Sequence, residues 1–469
     1  MKFIFSTLML LFTIFIFGQK ADDIKIKQGP IIKELTKHTN LFFAESDGKN
    51  GYVTVKAIYP FMAKAKIIKY RIEHFDSNFK LKSKHIIENG KKEFIKGMIV
   101  KNDSLFLIKT KYDSESKEIR FFVQYSKLDK YKFASKTLMS FNEKQYKKYF
   151  VLSFDINNKE KETHFIAVFD DRFNKKFQTK FQRNIYDKYF DYADLNIDNQ
   201  GNVYILGQVY ENNNLHVKTK GKPNYHYELF KISEGGQKNV NFKENDKFIS
   251  TLELLLKNNK LFLTAYYNEK LNGRIKGICL YKYTDDLTLI KKSYQELNIK
   301  KKEATDRKIR NVFIDKEDNI FLVSERYYTA ILSGTSTREV PRYASLMISK
   351  LDKDGKLLWT KFVYKLNSIP TQISTLVNGN IYIFLGANKV KKKHKNITFF
   401  KSGITIYNKF VFAIKFDKNG KFSYKKLIDT KKSLVNYNPS DGLIDLDNNA
   451  VILLGKYKKK QRMAIIKIK

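Results

Sequence analysis

The stretch Leu195–Tyr210, LNIDNQGNVYILGQVY, decides how the chain is read. One hydrophobic run ends at Ile197, a polar turn occupies Asp198 to Asn202, and a second hydrophobic run starts at Val203. Asp, Asn and Gly supply the side-chain-bonded and left-handed conformations that tight turns require, so the stretch reads as a β-hairpin. The same order returns in NVFIDKEDNIFLVSERYY from Asn311 and GLIDLDNNAVILLGKY from Gly442. Between these copies lies a second type of unit, an alternating strand, an Asp-containing turn and another strand. Its clearest copies are SLMISKLDKDGKLLWTKF from Ser345 and VFAIKFDKNGKFSYKKL from Val411.

Working outward, hairpins of the first type centre on Asp47-Gly48, Asn102-Asp103, Asn157-Asn158, Asn199 to Gly201, Asn258-Asn259, Glu317-Asp318, Asn378-Gly379 and Asp447-Asn448. Turns of the second type follow in step at Asp76, Asp129, Asp170-Asp171, Glu234-Gly235, Asp285-Asp286, Asp352 to Gly355 and Asp417 to Gly420. Two hairpins per unit make four strands. Repeated four-stranded units that cannot bury their faces alone predict an all-β fold, a single β-propeller of seven or eight blades, with eight preferred. The third unit, near Asn157, is the shortest and is expected to lack a strand. The last unit ends on MAIIKIK, one strand short, while DIKIKQGPIIKEL near the N-terminus is otherwise unassigned. The N-terminal segment is therefore expected to supply the missing strand and close the ring, removing an exposed sheet edge.

The residues resemble a known repeat. Asp198, Gly201, Asn202, Tyr204 and Gly207 match one half, and Lys350, Asp352, Gly355 and Trp359 the other, of the bacterial SBBP-type β-propeller repeat found in many secreted proteins. Asn396–Gly420 is similar to the linker and second half of such a repeat. The resemblance covers the chain from about residue 190 onward, and most copies lack the Trp. It implies a propeller and an export route; the family carries no shared catalytic residues.

The first residues, MKFIFSTLMLLFTIFIFGQ, place one Lys before an apolar stretch from Phe3 to Phe17, which a small residue, Gly18, follows. That is the form of a secretory signal peptide, and it predicts cleavage near Gly18 or Gln19. The domain plan is a leader over residues 1–19 and a propeller over 20–469. No Cys precedes Cys279, so no lipid anchor is expected, and no segment of the mature chain reaches membrane-spanning length. The predicted location is exported, periplasmic or secreted. A single Cys allows no internal disulfide, and Cys279 reads as a buried strand residue.

The formal net charge is +41, carried mostly by Lys. Export and the scarcity of Arg argue against nucleic acid as the partner and for anionic glycans or an acidic protein. The sharpest basic feature is KVKKKHKN, whose Lys391, Lys392, Lys393 and Lys395 form a candidate anion-binding loop inside the insertion Asn388–Phe410. Two further insertions span Glu211–His226 and Thr329–Tyr343.

Chemistry is absent from the motifs. The seven His are scattered singly, and neither a nucleophile elbow nor a phosphate loop occurs, so no catalytic, cofactor or metal residues are assigned and no cofactor is expected. DKDG at Asp352, DKNG at Asp417 and the Asp170-Asp171 pair read as turns rather than calcium or acid-base sites. The leading functional reading is a non-enzymatic, exported binding or scaffold module at the bacterial envelope. The alternative is a polysaccharide-acting enzyme whose site lies in the central channel, marked by acidic, Tyr or His groups with perturbed pKa values.

Overall fold

The structure is a computed structural model that describes residues 23–34, 39–59, 67, 69–88, 90, 92–113, 118–142, 152–155, 163–170, 173–183, 185–211, 215–250, 252–271, 273–332, 338–367, 370–393, 397–401, 409–446 and 448–469. The leader, the Asn157-Asn158 turn, Asp171, Lys395 and Asp447 lie outside them. Antiparallel strands dominate. Among the described residues helix is confined to single turns such as Thr430–Ser433 and Pro439–Asp441. Among the described residues no helix is long and apolar enough to cross a membrane.

Contacts divide the chain into two compact units, one of residues 38–327 with 347–360, the other of residues 1–37, 328–346 and 361–469. In the first unit, successive antiparallel meanders follow the chain. Thr39–Ser46, Tyr52–Ile58, Lys69–Phe75 and Leu81–Glu88 make the first sheet, and Glu93–Lys101, Ser104–Asp113, Glu118–Lys127 and Ala134–Asn142 the second. The third has three strands among the described residues, Leu152–Asp155, Thr163–Phe169 and Lys175–Gln182. The fourth runs Phe190–Ile197, Val203–Tyr210, Tyr225–Ser233 and Gly236–Phe242. The fifth runs Glu253–Lys257, Lys260–Asn268, Gly277–Thr284 and Leu289–Glu296, with Phe248–Ile249 as an extra short strand. A sixth begins with Arg307–Ile314 and continues through the long strands Ile320–Leu332, Arg338–Leu351 and Leu357–Leu366.

The second and third strands carry most of the buried residues of the sheets. Tyr52 to Ala57 and Leu261 to Tyr267 are buried without interruption, whereas the fourth strands, such as Leu289–Glu296, face solvent. The apolar cores accordingly lie between consecutive sheets. One joins Val53, Val55 and Ile72 of the first to Ile95, Leu105 and Leu107 of the second; another joins Tyr204, Tyr227 and Leu229 of the fourth to Leu261, Cys279 and Tyr281 of the fifth. Cys279 is fully buried, and burial pushes its thiol up to about 12, the property of an inert core residue.

First strands also meet each other across sheets: Thr39–Ser46 lies beside Glu93–Lys101, and Glu253–Lys257 beside both Phe190–Ile197 and Arg307–Ile314. Four of them break register at a bulge, between Leu41 and Phe43, Ile95 and Gly97, Tyr192 and Asp194, and Ile309 and Asn311. A bulge adds one residue to the strand and re-aims its side chains.

In the second unit, Gln372–Val377, Asn380–Ala387, Phe410–Phe416 and Phe422–Asp429 form a further four-stranded sheet. The last sheet takes Leu443–Asp445, Ala450–Tyr457 and Lys460–Ile468 from the C-terminus and its fourth strand, Ile24–Gln28, from the N-terminus. The register runs from Ile24 opposite Ile468 to Gln28 opposite Ala464. Ile32–Lys33 extends the same edge against Gln461 and Lys460. The missing strand is thus supplied by the segment the sequence leaves over. Asp23 anchors it, its carboxylate receiving the Lys415 ammonium at 2.5 Å and the Tyr382 hydroxyl.

Seven turns share one construction. At Asp47, Asp76, Asp170, Asp198, Asp315, Asp352 and Asp417 the backbone N–H donates to the carbonyl four residues on, while Oδ1 accepts the amide of that same residue. In six of them the amide two residues on donates to the same oxygen, at 2.7 to 2.9 Å. The fourth residue must then be left-handed, which Gly201, Gly355 and Gly420 accept freely. This is why Asp and Gly recur at the spacing seen in the sequence. It also commits Oδ1 of Asp352 and Asp417 to backbone amides.

Candidate functional site

The basic loop is a hairpin. Lys389–Lys393 pairs with Ile397–Lys401, and the latter adds parallel to the preceding sheet through Tyr364 opposite Phe399 and Leu366 opposite Lys401. Lys391 is exposed, and it stands opposite Phe399; Lys392 and Lys393 stand opposite Thr398 and Ile397. The insertion read as a loop therefore folds as two added strands. The sequence hides this because its Lys-rich half has low β propensity and is ordered only through its partner.

Single His residues turn out to be embedded among carboxylates. His74 is 3% exposed, with Nε2 at 3.0 Å from Asp47 Oδ2 and Nδ1 at 2.8 Å from Asp129 Oδ1. Both ring nitrogens face a carboxylate oxygen, so the ring bridges two side chains drawn from two sheets. Ser83 Oγ donates to the same Asp129 oxygen. Burial pushes Asp47 and Asp129 up, but His74, with the Lys49 and Gly51 amides on Asp47 and Ser83 on Asp129, more than reverses this and leaves both below the usual range. With every polar atom of the ring engaged, the clamp is structural. A second set lies at one end of the fourth sheet, where the buried Glu228 receives Arg183 and His226 Nε2, the latter at 3.2 Å. His226 Nδ1 faces Glu211 at 3.3 Å, and Lys243 also meets Glu211.

The carboxylates that behave differently sit on adjoining first strands. Asp194 follows the bulge in Phe190–Ile197, and Glu253 opens the neighbouring strand Glu253–Lys257. Asp194 Oδ1 accepts the Leu195 amide at 2.8 Å and Oδ2 the Leu254 amide at 2.9 Å, so it ties one first strand to the next. Asn196 Nδ2 returns a bond to the Leu254 carbonyl at 3.3 Å. Burial nevertheless holds the Asp194 carboxyl above its ordinary value, because the two amides offset only part of the desolvation. Glu253 is raised by burial and then by the Asp194 charge, and the Tyr192 phenol is raised by the same two causes. Both carboxyls keep partial exposure. Among the described residues these are the two carboxylic acids with raised values, and no motif marks them because each comes from a different repeat.

No family model matches the chain, and no curated protein is significantly similar to it. Among solved structures the chain is similar to the β-propeller domain of the Trilobed protease from Pyrococcus furiosus, at 11% identity and a TM-score of 0.37 over 84% of this chain and 97% of that one. It is similar also to the polysaccharide lyase Uly1, at 9% identity and a TM-score of 0.34 over 92% and 90%. A third is the N-terminal domain of Nup159, at 10% identity and a TM-score of 0.31 over 96% and 97%. Likenesses at these scores carry no argument about mechanism.

Proposed function

We propose that the chain is an exported β-propeller, of the kind its SBBP-like repeats suggest, that binds anionic glycans at the bacterial envelope without turning them over. In this reading the eight consecutive sheets are its blades, and the N-terminal strand, which completes the last sheet, would close the ring. What supports the ring is the wedge made by neighbouring sheets of one unit: first strands touch, cores fill the space between the middle strands, and fourth strands stand in solvent.

The observation that carries the binding reading is where the positive charge lies. Every fourth strand is net positive, from LKSKHIIE and KKFQTKFQ to the N-terminal IKIKQ, and Lys82, Lys84, Lys175, Lys180, Lys238 and Lys291 are exposed there. The first strands taken together are close to neutral. Lys on an outer, solvated surface gives a broad attractive field for a polyanion and little geometric selectivity. The test is binding of the purified chain to acidic and neutral polysaccharides across a salt series. Binding to the acidic polymers that falls steeply between 50 and 500 mM salt, concentrations at which the Debye length shrinks from roughly 14 to 4 Å, is the expected result. Salt-independent binding, or none, overturns the reading.

The second reading, a polysaccharide-acting enzyme, is favoured by Asp194 and Glu253, since paired carboxyls with raised values on facing strands suit general acid work. Appearance of new reducing ends or unsaturated products in the same samples selects it.

A further inference from the structure

A hollow between the second and third sheets has the chemistry of a sugar-acid subsite. It encloses about 480 Å³ and is lined by Phe106, Tyr125 and Phe173, with Lys101, Lys136 and Ser104 among its polar groups and no carboxylate among its described lining residues. That volume falls within the ~300–1,000 Å³ of small-molecule pockets. Phe106 and Tyr125 are direct cross-strand partners whose rings stack with centroids 6.0 Å apart and planes 26° apart. Phe173 reaches in from the Asp170 turn of the next sheet, its centroid 5.4 Å from that of Phe106. Lys136 enters from the fourth strand, where Nζ donates to Asn174 Oδ1 at 2.8 Å. That partner is a neutral amide, and among the described residues Lys136 makes no ion pair.

Phe173 also differs in side chain from most of the equivalent turn residues. It occupies the left-handed position of its Asp turn, at φ 60°, where Gly201, Gly355 and Gly420 stand in the equivalent turns. A bulky residue there costs on the order of 1 kcal/mol. Among the seven Asp turns one other apolar residue holds that position, Phe79, a core residue 1% exposed. Its burial repays the strain. Phe173 is only half-buried and its ring faces the hollow, so packing alone does not account for it.

We propose that this hollow binds one acidic pyranose residue of a polysaccharide, its C–H face against the Phe106, Tyr125 and Phe173 rings and its carboxylate or sulfate toward Lys136. Aromatic faces are electron-rich and attract the polarised C–H edge of a sugar ring, a contact that an inorganic anion cannot make. The lysines repel the quaternary ammonium ligands that aromatic clusters otherwise suit. Charge and rings together therefore select a ligand with an apolar face and an anionic substituent. The inference rests on the anionic-glycan reading above and narrows it to one place and one sugar class.

The test is calorimetric titration of the purified chain with galacturonate, trigalacturonate, maltotriose and inorganic sulfate, repeated on Phe173→Gly and Lys136→Gln. The expected result is trigalacturonate binding, weaker than about tenfold or more in each variant, with maltotriose and sulfate inactive. Phe173→Gly is expected to match or exceed the parent in thermal stability, since it removes the backbone strain, so lost binding is not lost folding. Galacturonate binding as well as the trimer identifies a free sugar acid as sufficient; the trimer alone identifies a residue within a chain. Acidic oligosaccharide binding unchanged in both variants overturns the subsite and leaves the binding-module reading standing. Absence of binding to any acidic saccharide by the parent chain overturns both.

Discussion

Asp194 and Asp198 stand four positions apart in one repeat and sit in opposite electrostatic states. Burial pushes Asp198 up, but the Asn202 side chain, the Asn202 and Gln200 amides and the Tyr204 hydroxyl outweigh it, and the carboxylate ends below its usual range. Asp194 also accepts two amides and ends above it. The difference lies in completeness. Asp198 gathers four donors, two on each oxygen, from a loop shaped around it, whereas Asp194 has one amide on each oxygen and lies on a first strand beside the strand of a second carboxyl, Glu253. Low values mark carboxylates that hold the fold; raised ones mark carboxylates that the fold tolerates at a cost.

If that distinction is right, the largest loss follows from breaking the most completely partnered set. His74→Ala strands the buried Asp47 carboxylate and one face of Asp129, and is expected to destabilise the chain by about 3 kcal/mol or more, read as a shift in the urea midpoint. A loss below about 1 kcal/mol shows that the clamp contributes little. The same region sets the acid response. Asp47 and Asp129 have folded values below the unfolded ~3.9, so their stabilisation is present above that pH and is lost as pH falls through the lower folded values. The parent chain should therefore lose stability progressively below about pH 4, and His74→Ala should show a shallower decline there.

Next in size is a single turn. Asp315 is buried and holds the Glu317 and Asn319 amides at 2.9 Å and the Asn319 side chain at 2.8 Å. Asp315→Ala leaves those donors without their acceptor and is expected to cost about 2 kcal/mol in the same denaturation measurement. An equal loss for Asp352→Ala, whose turn is exposed, would mean that the amide bonds themselves rather than their burial set the cost.

The turns were legible in the sequence because their chemistry is local: Asp at the first position and Gly or Asn at the fourth are needed by the backbone itself, as at Asp198 and Gly201. The leftover strand Ile24–Gln28 was legible for a related reason, since the final unit lacks one strand and one unassigned strand remains. The candidate groups were not. His74 meets Asp129 across 55 positions and Asp194 bonds Leu254 across 60, distances at which spacing holds no information. Bulges were hidden as well, because one inserted residue in a strand such as Phe190–Ile197 leaves the hydrophobic pattern almost unchanged. Phe173 was the most concealed: it follows Asp171 and Arg172 in a turn that reads as ordinary, and only its left-handed φ beside the rings of another sheet sets it apart.

The smallest effect tests the first-strand pair and has the opposite sign. Glu253 is raised by burial and by Asp194, so its ionised form is disfavoured in the folded chain at neutral pH. Glu253→Gln removes that charge, and because the residue is partly exposed the gain in stability at pH 7 should stay below about 1 kcal/mol. The sign follows from linkage. A carboxyl whose folded value is raised favours folding below its unfolded value of ~4.3 and loses that contribution as pH rises through the folded value. The advantage of Glu253→Gln should therefore vanish as pH falls toward 4. A variant less stable than the parent at pH 7 would mean that the Glu253 charge is compensated after all, and the pair would then join the turn carboxylates as part of the scaffold.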